Sequence, residues 1–563
     1  MSGSTVSMSS LPQAPPKLPG SGGSTVGSGR SGKRRRISSG GAKRQRSAGD
    51  DSADQPVGQQ LSPPAAARHV LTEEELHELE AEVGEELRFD NVVKVFVTVQ
   101  EPDFATPWQT LGVGAATGSG VVIETDDGRL LILTAAHVIS DATFIQCQRV
   151  GAENPDKHIA TVFAVRHECD LALLEVEADK KSEFWHDLEP ARLAEVPSLR
   201  SVVLVAGFPV GGEELSITEG VVSRIEGQPY SHSQRYLLAV TVDAAINEGN
   251  SGGPVFNETG ELVGIAFQAL EGAENTGHII PPPVIEHFVS GVAKFGPDNY
   301  QGFPADGIKT QQLTNATLRK YLGLGDDIRG VLVNTVYFAN TCDGVLQKND
   351  ILTSVLGKPV ANNGTIAFGR YGRVDLSILF TLQHVGSKID LDIIRDGKTM
   401  TVQATAKPFS RLVPLSEHDV KPRYFIYCGL VFQPLSYDYL DAIDGGSPVL
   451  TAAFYAGQQK AEQLELVVLS HTLSDKVNIG YERITDAPIK SVNGQKIRDL
   501  TDLVQKIESS TEPYLRICTA EDQDVIVVPS PSNAESTEAN KRILNRYKVS
   551  SDRCLEGGPS IGK

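Results

Sequence analysis

Three short segments of this chain carry residue types that together do one kind of chemistry. Gly249-Asn250-Ser251-Gly252-Gly253-Pro254 sets a serine among small residues. Glycines let a backbone approach a carbonyl carbon with no Cβ in the way, and let successive N–H groups point into one concavity where an oxyanion can sit. A serine hydroxyl is a poor nucleophile at neutral pH. It needs a base within hydrogen-bond reach and a third group to fix the tautomer of that base. Upstream, the run Leu131-Ile132-Leu133-Thr134-Ala135-Ala136 delivers His137, and Asp170 opens the apolar run Leu171-Ala172-Leu173-Leu174. Each residue has a plainer reading: His137 as a core histidine, Asp170 as a turn or capping residue, Ser251 as a turn residue. Together, in the order His, Asp, Ser and with these flanks, they point to nucleophilic hydrolysis of an acyl bond.

The elements that must position these residues read as strands. Residues 90–295 alternate short β-branched runs with Gly, Pro and Asp punctuation, at 92–99, 120–123, 130–133, 160–165, 202–206, 237–242 and 262–267. Many short strands at this spacing predict barrels or a sandwich. Pro281-Pro282-Pro283 then starts a helix over 284–292. Further on, a helix is expected near 314–321, a strand over 330–335, a strand over 484–492 and a helix over 499–509, with a long insertion near 436–464. Ahead of the strands, Thr72 and Glu75 make a capping box, and Leu76, Leu79, Val83 and Leu87 share one helical face.

Length and composition bound the rest. A chain of 563 residues holds three or four domains. No run of about 18 apolar residues occurs, so no membrane partner is expected, and the N-terminus lacks the apolar segment of a secretory signal. Six cysteines at 147, 169, 342, 428, 518 and 554 form no CxxC pair, which predicts neither a disulfide framework nor a metal site. No credible nucleotide-binding loop is present, so no cofactor is expected. Residues 1–70 are rich in Ser, Gly and Pro and read as disordered. They carry ten Lys/Arg against three Asp/Glu, and the rest of the chain has a net charge of −26. An acidic body argues against a nucleic-acid partner. Two basic clusters in the tail, Lys33-Arg34-Arg35-Arg36 and Lys43-Arg44 with Arg46, read as a bipartite nuclear localisation signal that would engage an import receptor. The acid-free, Ser- and Arg-rich composition of residues 1–49 keeps an organellar transit peptide as the alternative.

Thr134-Ala135-Ala136-His137, Asp170-Leu171-Ala172-Leu173-Leu174 and Asp243-Ala244-Ala245-Ile246-Asn247-Glu248-Gly249-Asn250-Ser251-Gly252-Gly253-Pro254 resemble the three catalytic motifs of chymotrypsin-fold serine proteases, in the form of the HtrA/Deg (protease Do) family. The likeness extends to Gly118-Ser119-Gly120, Gly207-Phe208-Pro209 and Gly220-Val221-Val222-Ser223, and covers about residues 90–530. It implies a mostly β fold: a chymotrypsin-like double β-barrel over 71–298 including the N-terminal helix, a first PDZ domain over 299–408, a second, divergent PDZ-like α+β domain over 409–530, and tails at 1–70 and 531–563, the latter polar with a short helix expected over 538–547. It implies His137 as general base, Asp170 as its orienting carboxylate, Ser251 as nucleophile, and the N–H groups of Gly249 and Ser251 as the oxyanion hole. Trypsin-like relatives that cut after basic residues carry an acid six positions before the nucleophile; here that position is Ala245, so cleavage after small or medium aliphatic residues is expected. Gly307-Ile308 would start the peptide-binding strand of the first PDZ domain, and Tyr427-Cys428-Gly429-Leu430 resembles a second binding loop. Asp306 would repel a chain-terminal carboxylate, and Asn349 stands where the family has glycine. The resemblance further implies protein substrates and a trimer-based homo-oligomer, and the lack of a credible nucleotide-binding loop implies no energy source. A PDZ-based chaperone or scaffold with a latent protease domain is the alternative.

Overall fold

The computed structural model describes residues 89–557, apart from 150–155, 179–183, 210–211, 213, 248, 270–275, 370–371, 445–446 and 521–523. The two basic clusters and the helix expected from Thr72 lie outside the described residues.

Six strands close a first barrel: β1 (Val92–Val99), β2 (Gly114–Glu124), β3 (Leu130–Thr134), β4 (Ala142–Arg149), β5 (His158–Arg166) and β6 (Leu171–Val176), in the order β1-β2-β3-β6-β5-β4. Six more close a second: β7 (Val202–Gly207), β8 (Ser216–Pro229), β9 (Tyr236–Val242), β10 (Pro254–Phe256), β11 (Leu262–Ala269) and β12 (Gly277–Ile280), in the order β10-β11-β12-β9-β8-β7. Alternate side chains of a strand point to opposite faces. In β1, Val93, Val95 and Val97 fill the first barrel with Val122, Ile132, Ile145 and Leu174. In β3, Leu130 and Ile132 point that way; Leu131 and Leu133 face outward into a second core with Leu171, Leu173, Phe208, Tyr230 and Leu237. Burial on both faces is why β3 and β6 read as unbroken apolar runs, and each such leucine contributes about 2 kcal/mol. The outward core continues without a break into the first C-terminal domain through Val331, Val333, Leu352 and Ile389.

That domain has a sheet ordered Ile308–Gln312, Val331–Val336, Ile351–Val355, Lys388–Arg395, Lys398–Thr405. Asn349, in place of the family's glycine, holds φ 77° in the turn before Ile351, a left-handed conformation that Asn tolerates better than most residues. The second C-terminal domain is built on an eight-stranded sheet carrying the helix Leu500–Glu508. Two expectations change here. Tyr427-Cys428-Gly429-Leu430 is a two-residue hairpin turn, with Cys428 and Gly429 at φ 49° and 82°, as a type I′ turn requires. Its polar groups are already occupied: Cys428 N–H donates to Asn540 Oδ1 at 2.6 Å, and Asn478 Nδ2 donates to Cys428 O at 2.7 Å. The loop is therefore closed to a peptide carboxylate. Beyond residue 530 the short helix expected over 538–547 is found as Ala534–Tyr547, but it buries Ala539 and Ile543 against the domain rather than lying in a tail, and Arg553–Cys554 adds an edge strand beside Tyr424–Tyr427.

The second domain rests on the loop that follows β1. Phe104 packs with Leu412, Leu435 and Phe454, and the Trp108 ring lies 6.0 Å from Tyr424 and 5.6 Å from His471. The segment that joins the two C-terminal domains meets the first barrel directly, where Asp141 N–H donates to Asp419 Oδ1 at 2.6 Å and Asp419 N–H to Asp141 Oδ1 at 3.2 Å.

Candidate active site

β3 ends at Thr134, whose hydroxyl donates to Ser119 O at 2.7 Å, and the one-turn helix Ala136–Ile139 then presents His137. Asp170 closes a 3₁₀ turn, His167–Cys169, in the left-handed region at φ 54°. The turn aims its fully buried carboxylate back at the helix. Oδ1 accepts from the backbone N–H of His137 at 2.8 Å, and Oδ2 lies 2.7 Å from His137 Nδ1. The Asp170 carbonyl accepts from Ala136 N–H at 3.0 Å. One residue thus fixes the backbone of His137, its ring orientation and its tautomer, with the proton on Nδ1 and the lone pair on Nε2. Burial presses the His137 pKa down. The charge and hydrogen bond of Asp170 press harder the other way, so it stands above the ordinary imidazole value.

Ser251 sits in the turn between β9 and β10. Gly252, at φ 79°, lies so close to the first barrel that a Cβ would meet Ser119 O and Thr134 Oγ1 at 2.3 Å each. A Cβ on Gly118 would meet Val138 Cγ1 at 2.6 Å and Ser251 O at 3.2 Å, so the Ser251 turn and the His137 helix share a neighbour. Ser119 ties the pieces together. Its Oγ donates to Gly249 O at 2.7 Å and accepts from Phe208 N–H at 2.9 Å, while its N–H donates to Ser251 O at 2.9 Å. The neighbouring N–H groups of Asn250, Gly252 and Gly253 donate to Asn247 O, Ala266 O and Asn250 O. Among the described residues those of Gly249 and Ser251 have no acceptor in the chain. Nor does a hydrogen bond join the Ser251 hydroxyl to His137.

Ala245 is half-buried; its carbonyl accepts from the Thr218 hydroxyl at 3.4 Å, and the next residue, Ile246, packs onto Gly277, where a Cβ would meet Ile246 Cδ1 at 2.3 Å. Cys169, beside Asp170, is buried, which pushes its thiol pKa well up and removes it as a second nucleophile. Gly307 lies at φ 69° with Asn340 Cβ 2.1 Å from where its own Cβ would be, and Ile308 follows it into the sheet. The half-buried Asp306 carboxyl is pushed up to about 6, chiefly by its removal from water.

Sequence reasoning missed Ser119, quoted only as part of a motif, and three histidines beside the site. The His232 ring centroid is 6.0 Å from that of His137, and His167 and His418 pack against His232. Burial first, then the neighbouring imidazoles, holds His232 well below the ordinary histidine range and His418 at about 4.

Two closed barrels with a histidine–aspartate pair and a serine turn between them define a serine-type endopeptidase. The trypsin-like peptidase domain family matches residues 118–265, and the PDZ domain family matches residues 413–556. The chain is 37% identical to protease Do-like 2, chloroplastic, of Arabidopsis thaliana, over 83% of this chain and 75% of that protein. It is 35% identical to protease Do-like 4, mitochondrial, of the same plant, over 82% and 84%. Among solved structures, the HtrA-type protease AlgW with decapeptide covers 59% of this chain and 97% of its own at 21% identity and a TM-score of 0.42. The chain belongs to the Do-like (HtrA/Deg) family of serine proteases and acts on protein substrates.

Proposed function

We propose that Ser251, His137 and Asp170 are the catalytic triad of this endopeptidase. The observation that carries it is the double engagement of His137 by the Asp170 carboxylate, at 2.8 and 2.7 Å. With Nδ1 donating to Asp170, Nε2 takes the Ser251 proton as Oγ attacks the scissile carbonyl and returns it to the leaving amine. The imidazolium formed between these steps is stabilised by Asp170, in keeping with the raised His137 pKa. The free N–H groups of Gly249 and Ser251 receive the oxyanion, each worth on the order of 3 kcal/mol of barrier. Ala245 and Ile246 offer no charge to a substrate side chain, which supports cleavage after small or medium aliphatic residues. A peptide-library profile dominated by Arg or Lys before the cut would rule this out. Purified Ser251→Ala should leave unfolded casein intact while the wild type degrades it without ATP.

The missing contact between the Ser251 hydroxyl and His137 favours a second reading, in which the chain rests as a latent protease and its PDZ-like domains serve docking. A trimer-based homo-oligomer, read by light scattering, belongs to either reading. The basic clusters of the tail support import into the nucleus. The mitochondrial and chloroplastic names of the relatives support an organelle address for the same tail. A fusion of residues 1–70 to a fluorescent protein separates these, by nuclear or by organellar signal.

A further inference from the structure

Three elements distant in sequence bring one imidazole each to a common point. His167 belongs to the 3₁₀ turn that delivers Asp170, His232 to the loop between β8 and β9, and His418 to the segment joining the two C-terminal domains. One ring nitrogen or more from each falls within 4.8 Å of the others. Their other contacts select which nitrogen is available. His167 Nε2 lies 2.8 Å from Asp419 Oδ2, which keeps its proton there and leaves Nδ1 as the inward atom. His418 Nε2 lies 3.1 Å from the carbonyl of His232, so it too carries the proton and leaves Nδ1. His232 Nε2 faces His167 Nδ1 at 2.9 Å. Two inward nitrogens thus meet head-on with a single proton to share.

That is the donor set of a tri-histidine metal site. Zinc takes imidazole nitrogens at about 2.0–2.1 Å in tetrahedral array, which puts ligand atoms about 3.3 Å apart. The 2.9 Å pair needs to open by only a few tenths of an ångström, and the other nitrogens, within 4.8 Å of one another, need to close by up to about 1.5 Å. The Asp419–His167 bond is the carboxylate–histidine support that orients a metal-bound imidazole. Asp419 is held in turn by the Asp141 backbone N–H.

We propose that His167, His232 and His418 bind one divalent ion of the zinc class, which clamps the linker of the second PDZ-like domain onto both barrels and acts as a reversible brake on proteolysis. The brake follows from position. The ion replaces the shared proton beside the ring that packs 6.0 Å from His137, and its double charge opposes the positive charge His137 must acquire. Metal binding stands on the histidine geometry alone, whereas the brake rests on the proposed role of His137.

The test uses the tag-free full-length chain carrying Ser251→Ala, stripped with chelator, so that failure of the catalytic reading cannot mask the result. Titration with Co²⁺ should give visible absorption bands of a four-coordinate site at one equivalent, and Zn²⁺ should displace them and raise the melting temperature. His418→Asn should lower the affinity at least 10-fold and abolish the bands, while His186→Asn, at an exposed histidine, should change nothing. Absence of bands in the unsubstituted histidine background, or bands that persist with His418→Asn, would overturn the site. In the active protein, saturating Zn²⁺ should slow casein hydrolysis at least fivefold, with recovery on chelation, and His418→Asn should be resistant. Equal inhibition of both would overturn the brake.

Discussion

Ser119→Ala tests whether the nucleophile turn is held from the opposite barrel. The Ser119 hydroxyl is fully buried and makes two bonds, to Gly249 O at 2.7 Å and from Phe208 N–H at 2.9 Å. Its removal orphans one buried acceptor and one buried donor, each costing about 1–3 kcal/mol. Part of that appears as lost stability; the rest is relieved by rotation of the Gly249 peptide toward another partner. Rotation turns the Gly249 N–H out of the concavity it shares with the Ser251 N–H, and one oxyanion donor is worth about 100-fold in rate or more. With partial rotation we expect kcat on a peptide substrate to fall about 10- to 100-fold with KM nearly unchanged, and the melting temperature to drop several degrees. Steady-state kinetics and a thermal melt on the same preparation read both quantities. A kcat within threefold of wild type, whatever the melt shows, would refute the argument that Ser119 orients the oxyanion turn.

Other perturbations probe other links. Asp170→Asn should lower kcat by about 10⁴, because an amide at that place stabilises the wrong imidazole tautomer, while the fold survives by circular dichroism. Gly252→Ala should cost about 3 kcal/mol and abolish turnover, since its Cβ meets backbone and hydroxyl oxygens at 2.3 Å from a left-handed φ of 79°; denaturant titration measures the loss. Asp475, paired with Arg542 at 2.6 and 2.9 Å and with Arg546 at 3.1 Å, is held at about 2 by these partners. The folded value lies below that of the unfolded chain, about 3.9, so the carboxylate contributes about 2 kcal/mol, complete above about pH 4 and lost as pH falls through about 2. The stability gap between wild type and Asp475→Asn should therefore close as denaturation is followed from pH 6 to pH 2.

What the sequence reveals here follows from the range of the interactions. β1 is legible end to end at Val92–Val99 because its apolar alternation is local, and the segments carrying His137, Asp170 and Ser251 are legible because each is a contiguous motif. The expected helix over 499–509 is found as Leu500–Glu508, with Asp499 capping it through Asp502 N–H. The histidine cluster is illegible: its members lie 65 and 186 positions apart, and only the docking of the interdomain linker unites them. The C-terminal segment shows its helix in the sequence but reads as a tail because Ala534–Tyr547 is polar on most faces, and the strand that follows is two residues long. The closed hairpin at Cys428–Gly429 resembles a binding loop in sequence, since a turn glycine is the same residue in both; only Asn478 and Asn540, contributed from 50 and 112 positions away, distinguish them.

The central claim is that the Asp170–His137 pair activates Ser251. Mass spectrometry of the protein after treatment with a fluorophosphonate measures this directly. The account predicts a single covalent adduct on the peptide containing Ser251, absent in Ser251→Ala and in His137→Ala. No adduct under conditions where casein is degraded, or an adduct on another serine, would contradict it.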